Sequence, residues 1–300
     1  MLVETNFETY KKNLIEELVL NFPEYNITET EKNNNGVILH GISVAKKNEN
    51  IGPVFYVDEP YKQGESIERF VEYIKDYFKN HQQEHIEDTR KIYSDLQSLR
   101  TCKDKLYLRV ADKRNLDKEI VTVSVRETNN LKYYIVYDYD RPDLNNGYIA
   151  KITYKMLEIS NISVKEIFDI AYENTYNTGY VLLDVFSYMT NYLNMDKEKI
   201  EELRPLFIPE LMVCKLKDVD KGACASFLFV DDIYKKINSD FYIIPSSTME
   251  TLVIPKIGDD DNYILDMIKN VNDNELDKCD ILSYSVFYFD GYKLIEIEPN

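Results

Sequence analysis

The residues most suggestive of chemistry form one short string, His81-Gln82-Gln83-Glu84-His85. On a helix, His81 and His85 stand one turn apart. Both imidazoles could then reach one Zn²⁺, with Glu84 beside them as a base. Such a centre also needs a third ligand and a dry surrounding shell. His40 is the only other histidine, and the stretch from Lys79 to Arg90 is mostly polar. The expectation is two solvated histidines on a charged helix, and no metal or cofactor is assigned.

Ser246 and Ser247 follow an apolar strand pattern and Pro245, with Glu250 close behind. A serine nucleophile needs a base within hydrogen-bond reach. The chain has no G-x-S-x-G elbow, and no histidine lies near these serines in sequence. The hydroxyls are expected to satisfy backbone groups of the turn, with Glu250 tied to them. The acid-rich stretches Asp138–Asn145 and Asp259–Asp261 lack the twelve-residue Ca²⁺ loop pattern. No Walker loop or G-x-G-x-x-G occurs. Cys214 and Cys224 are expected as buried small hydrophobes.

These residues sit in a 300-residue chain with net charge −17, 44% hydrophobic residues, 25 Tyr, 13 Phe and no Trp. That supplies ample material for a core. The charge opposes a protein that tracks phosphates, so no nucleic-acid partner is expected. The densest basic group is Arg100, Lys103, Lys105, Arg109, Lys113 and Arg114, expected as solvated charge. No apolar run is long enough to span a bilayer. Met1-Leu2-Val3-Glu4-Thr5 shows no basic region leading into an apolar one, and the cysteines form no CxxC pair. A cytoplasmic protein with reduced thiols is expected, without a membrane partner.

The elements that must position these residues read as α+β, two-lobed, with largely antiparallel sheets and helices packed on their faces. Residues 1–100 form an N-terminal α+β lobe. Phe7, Tyr10, Leu14 and Leu18 mark its first helix, and Asn35-Gly36 a hairpin. Ser66 caps a second helix through Ile67, Phe70, Ile74, Tyr77 and Phe78. Residues 101–300 form a larger α+β domain, with strands near 105–111, 119–126, 131–139 and 148–154. Ser163 and Glu166 make a capping box for a helix through Ala171. A helical connector is expected near 179–205, then strands at 210–216 and 223–230, a short helix at about 231–238, and strands at 241–244 and 251–254. A helix over 260–272 precedes a hairpin in which 284–289 and 292–297 flank a two-residue Asp290-Gly291 turn.

The segment Phe241-Tyr242-Ile243-Ile244-Pro245-Ser246-Ser247-Thr248-Met249-Glu250, continuing through Leu252-Val253-Ile254-Pro255, resembles the "F-ILPSSIHE-ILVP" segment of an uncharacterised bacterial domain-of-unknown-function family. Pro53–Val57 with Tyr61, Gly64 and Ser66-Ile67-Glu68, Ser163–Thr175, and Gly222-Ala223 leading to Phe241 resemble that family's other segments in the same order. The chain departs from it at Thr248-Met249, where the family has Ile-His. The resemblance implies a lineage and a fold, and carries no activity.

The expected function is therefore binding without catalysis, with a protein as partner. Its basis is the lack of a catalytic constellation in the sequence, the high acidity, and the tyrosine set Tyr133, Tyr134, Tyr137, Tyr139, Tyr284, Tyr288 and Tyr292, about half of which alternation turns outward. The alternatives are a hydrolase, using Ser246/Ser247 or a metal at His81/His85, and an acidic mimic of nucleic acid.

Overall fold

The computed structural model describes residues 6–48, 52–81, 84–139, 148–206, 210–256 and 261–299. Within these spans the side chains of 81, 84–88, 206 and 261–263 are left undescribed. The chain divides into two compact units, residues 1–95 and 96–300.

In the first unit, Asn6 caps α1 (Phe7–Asn21), its Oδ1 accepting the Thr9 N–H at 2.8 Å. Tyr10, Leu14 and Leu18 line the buried stripe of α1. β1 (Tyr25–Asn34), β2 (Val37–Lys46) and β3 (Val54–Tyr56) form an antiparallel sheet in that order. Asn35 and Gly36 both take positive φ, 53° and 86°, which a two-residue turn matching strand twist requires. α2 (Asp58–Lys62) follows β3 and is too short to show a period in sequence. Asp58 anchors it to β2 by accepting the His40 N–H at 2.7 Å and pairing with His40 Nδ1 at 2.8 Å. α3 (Ile67–His81) brings Phe70, Val71 and Ile74 against Ile42, Val44, Phe55 and the α1 stripe. α4 (Glu84–Gln97) comes next.

The second unit holds two antiparallel sheets. In the first, β4 (Leu106–Asp112) pairs with one edge of β6 (Leu131–Tyr139). β5 (Thr122–Ser124) and β7 (Tyr148–Lys151) share the other edge. α5 (Tyr154–Ser160) starts where the sequence suggests continued strand, because Thr153 caps it. α6 (Val164–Thr178) is capped by Ser163 as expected but runs seven residues beyond Ala171. It packs on β4, where Thr175 Oγ1 accepts the Leu108 N–H at 2.8 Å.

The other sheet has six strands. They are β8 (Tyr180–Asp184), β9 (Met212–Leu216), β10 (Phe241–Ile244), β11 (Thr251–Pro255), β12 (Val286–Phe289) and β13 (Leu294–Ile297). Their order is β13-β12-β10-β11-β9-β8. α7 (Val185–Tyr192) and α11 (Asp261–Asn274) cover one face through Val185, Tyr188, Ile264 and Ile268. α9 (Ala225–Leu228) and α10 (Val230–Ile237) send Phe227 and Tyr234 against Phe287 and Phe289 of the same sheet. α8 (Lys197–Leu203) follows α7 in the chain.

Three expectations are corrected. Residues 180–184 are strand: Gly179 at φ 75° ends α6, and Asp184 caps α7, so the expected connector begins with β8. Residues 225–228 are the helix α9, where the apolar run 223–230 suggested a strand, while the short helix expected at about 231–238 is α10. All eight residues of that run are buried, and a run buried on every side shows no period to read. The last hairpin closes at Phe289 opposite Leu294, so its loop is Asp290–Lys293, four residues long. Asp290 Oδ1 there accepts the N–H groups of Tyr292 and Lys293.

Candidate functional site

The Pro-Ser-Ser segment joins β10 to β11 and is a wall of the fold. Ser246 and Ser247 are buried. Ser246 O accepts the Leu282 N–H at 3.0 Å, and Pro245 O accepts the Ser283 N–H at 3.0 Å. The Ser247 hydroxyl oxygen accepts the Met249 N–H at 2.9 Å, which is the turn role expected for it.

Glu250 is tied elsewhere. Its Oε2 accepts the Tyr188 hydroxyl of α7 at 3.3 Å. The register Thr251↔Cys214 sets Lys215 of β9 beside it across the strands. Burial raises the Glu250 pKa, against the opposing pull of Lys215 and Tyr188. Burial and the neighbouring carboxyl push Tyr188 up to about 12.

His81 ends α3, while Glu84 and His85 open α4, and their side chains lie outside the described residues. So do Asp140, Asp143, Asn145, Asp259 and Asp260. Among the described residues no three His, Cys, Asp or Glu side chains gather as a metal site. Much of the basic group is paired within the chain. Arg100 reaches Glu166 at 2.6 Å, Arg114 clasps Asp112 with two nitrogens, and Lys105 lies 4.6 Å from the Tyr139 ring centre. Cys102, Cys214 and Cys224 are buried, and burial pushes the Cys224 thiol up to about 12 and Cys214 up as well. None of the four cysteines forms a disulfide.

The expected tyrosine surface is corrected too. Tyr133, Tyr134 and Tyr137 are all buried, because β6 is covered on both faces. Of the expected set, Tyr292 is the one standing free of the fold, at 90% exposure.

A different aromatic group reaches the surface. Phe168, Tyr172 and Tyr176 recur four apart on α6, a spacing legible in the sequence. Tyr172 and Tyr176 stack at 5.9 Å, and each is 40% exposed. Tyr176 stacks on buried Phe229 at 4.6 Å, Phe229 stacks on Tyr180 at 4.6 Å, and Lys236 lies 4.2 Å from the Tyr180 ring centre. The Tyr176 hydroxyl donates to Asp232 at 3.2 Å. Asp231 pairs with Arg126 at 2.5 Å, and the Arg126 guanidinium lies 5.6 Å from the Phe289 ring centre. Beyond Phe289, Gly291 backs onto Tyr234, and Tyr292 stands at the loop tip. The surface thus runs from α6 across α10 to the last hairpin. Its rings are held in stacks, and Tyr172 and Tyr176 each keep part of their surface in water, an arrangement that suits Tyr to contact surfaces.

A family model described as "Family of unknown function (DUF5688)" matches residues 4–291. No curated protein and no solved structure matches the chain. No helix among the described residues is long and apolar enough to cross a membrane.

Proposed function

Since this chain belongs to the DUF5688 family, whose function is unknown, we propose a role from its geometry: it binds another protein through the Tyr172–Tyr176 surface of its larger unit. One observation carries this reading. The two half-exposed rings are the outer members of a column whose inner members, Phe229 and Tyr180, are packed against the fold. An aromatic anchor already fixed in position loses little freedom when a partner covers it. Ion pairs at Asp231 and Asp232 border the column, as a polar rim borders an anchored interface. We place this binding in the cytoplasm, which suits four cysteines without a disulfide.

The serines favour this reading over hydrolysis, since the Ser247 hydroxyl already accepts a backbone N–H and Glu250 bonds to Tyr188. The test is photo-crosslinking in the cells that make the protein. A photoreactive phenylalanine analogue replaces Tyr172 in one variant and exposed Tyr154 of α5 in another. Protein adducts are expected at 172 and not at 154. Absence of any protein adduct at 172 would sink the proposal.

A further inference from the structure

We infer that the partner brings a basic segment to the α6–α10 surface and seats an arginine against Tyr172. This rests on the reading that the surface binds protein. The chain places its own cations in one recurring seat, an aromatic ring beside a carboxylate. The Arg126 guanidinium lies 5.6 Å from the Phe289 ring centre and pairs with Asp231 at 2.5 Å. Arg204 lies 4.3 Å from the Phe186 ring centre and pairs with Glu201 at 2.8 Å. Lys11 lies 5.8 Å from the Phe7 ring centre and pairs with Glu29 at 2.9 Å. The ring face attracts the cation, and the carboxylate neutralises it. On α6 the ring and the carboxylate recur without the cation. Asp169, Tyr172, Glu173 and Tyr176 are all exposed and, three and four residues apart, share one side of the helix. Lys165 takes up Asp169, whereas Glu173 has no ion pair among the described residues. The rest of the surface offers no spare base. Arg126 and Lys235 are held by Asp231 and Asp232, and Lys236 lies over the Tyr180 ring. In the last hairpin Asp290 and Lys293 offset each other. What remains uncovered is Glu173 and, next to Arg126, exposed Glu127. Both are negative, so the surface complements positive charge. Arginine suits it better than lysine, because a planar guanidinium stacks on a tyrosine and bonds a carboxylate through two nitrogens.

The probe is fluorescein-labelled nona-arginine, its anisotropy read as the full chain is added to about 1 mM in about 0.15 M salt. Saturable binding is expected. Nona-lysine, equal in charge but without the planar group, should bind at least about twofold more weakly. Tyr172→Ala should weaken nona-arginine binding at least about threefold, while Tyr172→Phe, which keeps the ring, should leave it unchanged. Glu173→Lys should weaken it about tenfold. Glu158→Lys, at an exposed position of α5, alters net charge by the same amount and should move it less than about twofold. The two charge reversals keep the test decisive if Tyr172→Ala folds poorly. Absence of saturable binding would overturn the proposal. So would equal losses from Glu173→Lys and Glu158→Lys, which would assign the attraction to net charge alone, or equal affinity for the two peptides.

The crosslink at position 172 separates the two readings. An adduct on a partner segment without arginine overturns the basic segment and leaves protein binding standing. A chain that neither binds nona-arginine nor forms a protein adduct at 172 ends both.

Discussion

A carboxyl group that leaves water without gaining a full countercharge prefers to keep its proton, and Glu250 is in that position. Its folded pKa lies above the unfolded value. The group's stabilising contribution is therefore complete below the unfolded pKa and is lost as pH rises through the folded one. Glu250→Gln should raise the melting temperature near neutral pH, and the gain over wild type should shrink as the pH falls toward 4. Melting curves across pH check this, and a gain independent of pH would contradict it. The cysteines make a second residue-scale case. The thiolate is the reactive form, and burial raises the pKa of Cys214, Cys224 and, less completely enclosed, Cys279. Iodoacetamide on the native protein should give one slow adduct, at Cys279, by intact mass and peptide mapping. Thr175, 0% exposed, accepts the Leu108 N–H and donates to Ala171 O, so it joins α6 to β4. Thr175→Val keeps the shape and leaves that N–H without its acceptor. A loss of about 1–3 kcal/mol is expected in denaturant melts.

Elements rest on their caps and turns, and those signals proved the most legible in the sequence. Ser163 and Ser66 mark helix starts and Asn35-Gly36 marks a hairpin, because each residue type acts locally. Asp184 is a cap of the same kind, receiving two N–H groups from α7. Asp184→Ala should cost about 1 kcal/mol in denaturant melts. Its role was hidden by the apolar residues around it, which read as one continuous helix. The run 223–230 failed for a related reason. Burial on all sides erases the alternation that separates a strand from a helix, so α9 emerges only from the tertiary packing. The surface tyrosines follow the same logic. β6 carries the densest tyrosine pattern, yet its Tyr133, Tyr134 and Tyr137 are buried while Tyr172 and Tyr176 of α6 reach water. Which strand is covered on both faces depends on residues far away in sequence. The serine turn was legible as a turn, whereas the Tyr188 partner of Glu250 comes from a helix some sixty residues earlier.

Two units, each with its own core, give the molecule two places to fail separately. Leu14, 0% exposed, sits in the core of residues 1–95. Leu14→Ala should cost that unit about 2–5 kcal/mol. Hydrogen exchange should then quicken across α1, β1, β2 and α3, with β9 to β12 of the second unit unchanged. Equal quickening in both units would show that they unfold as one. The strand order of the six-stranded sheet also bears on synthesis. β10 lies between β11 and β12, so during translation it gains one neighbour early and waits for residues 286–289 before gaining the other. The first unit is contiguous in sequence and can fold while the rest is still being made. A nascent or prematurely stopped chain ending before β12 presents Phe241-Tyr242-Ile243-Ile244 as an open apolar edge. The ribosome-bound protein therefore passes through an interval in which that edge needs shielding by a chaperone, and nonsense mutations late in the message should yield aggregates.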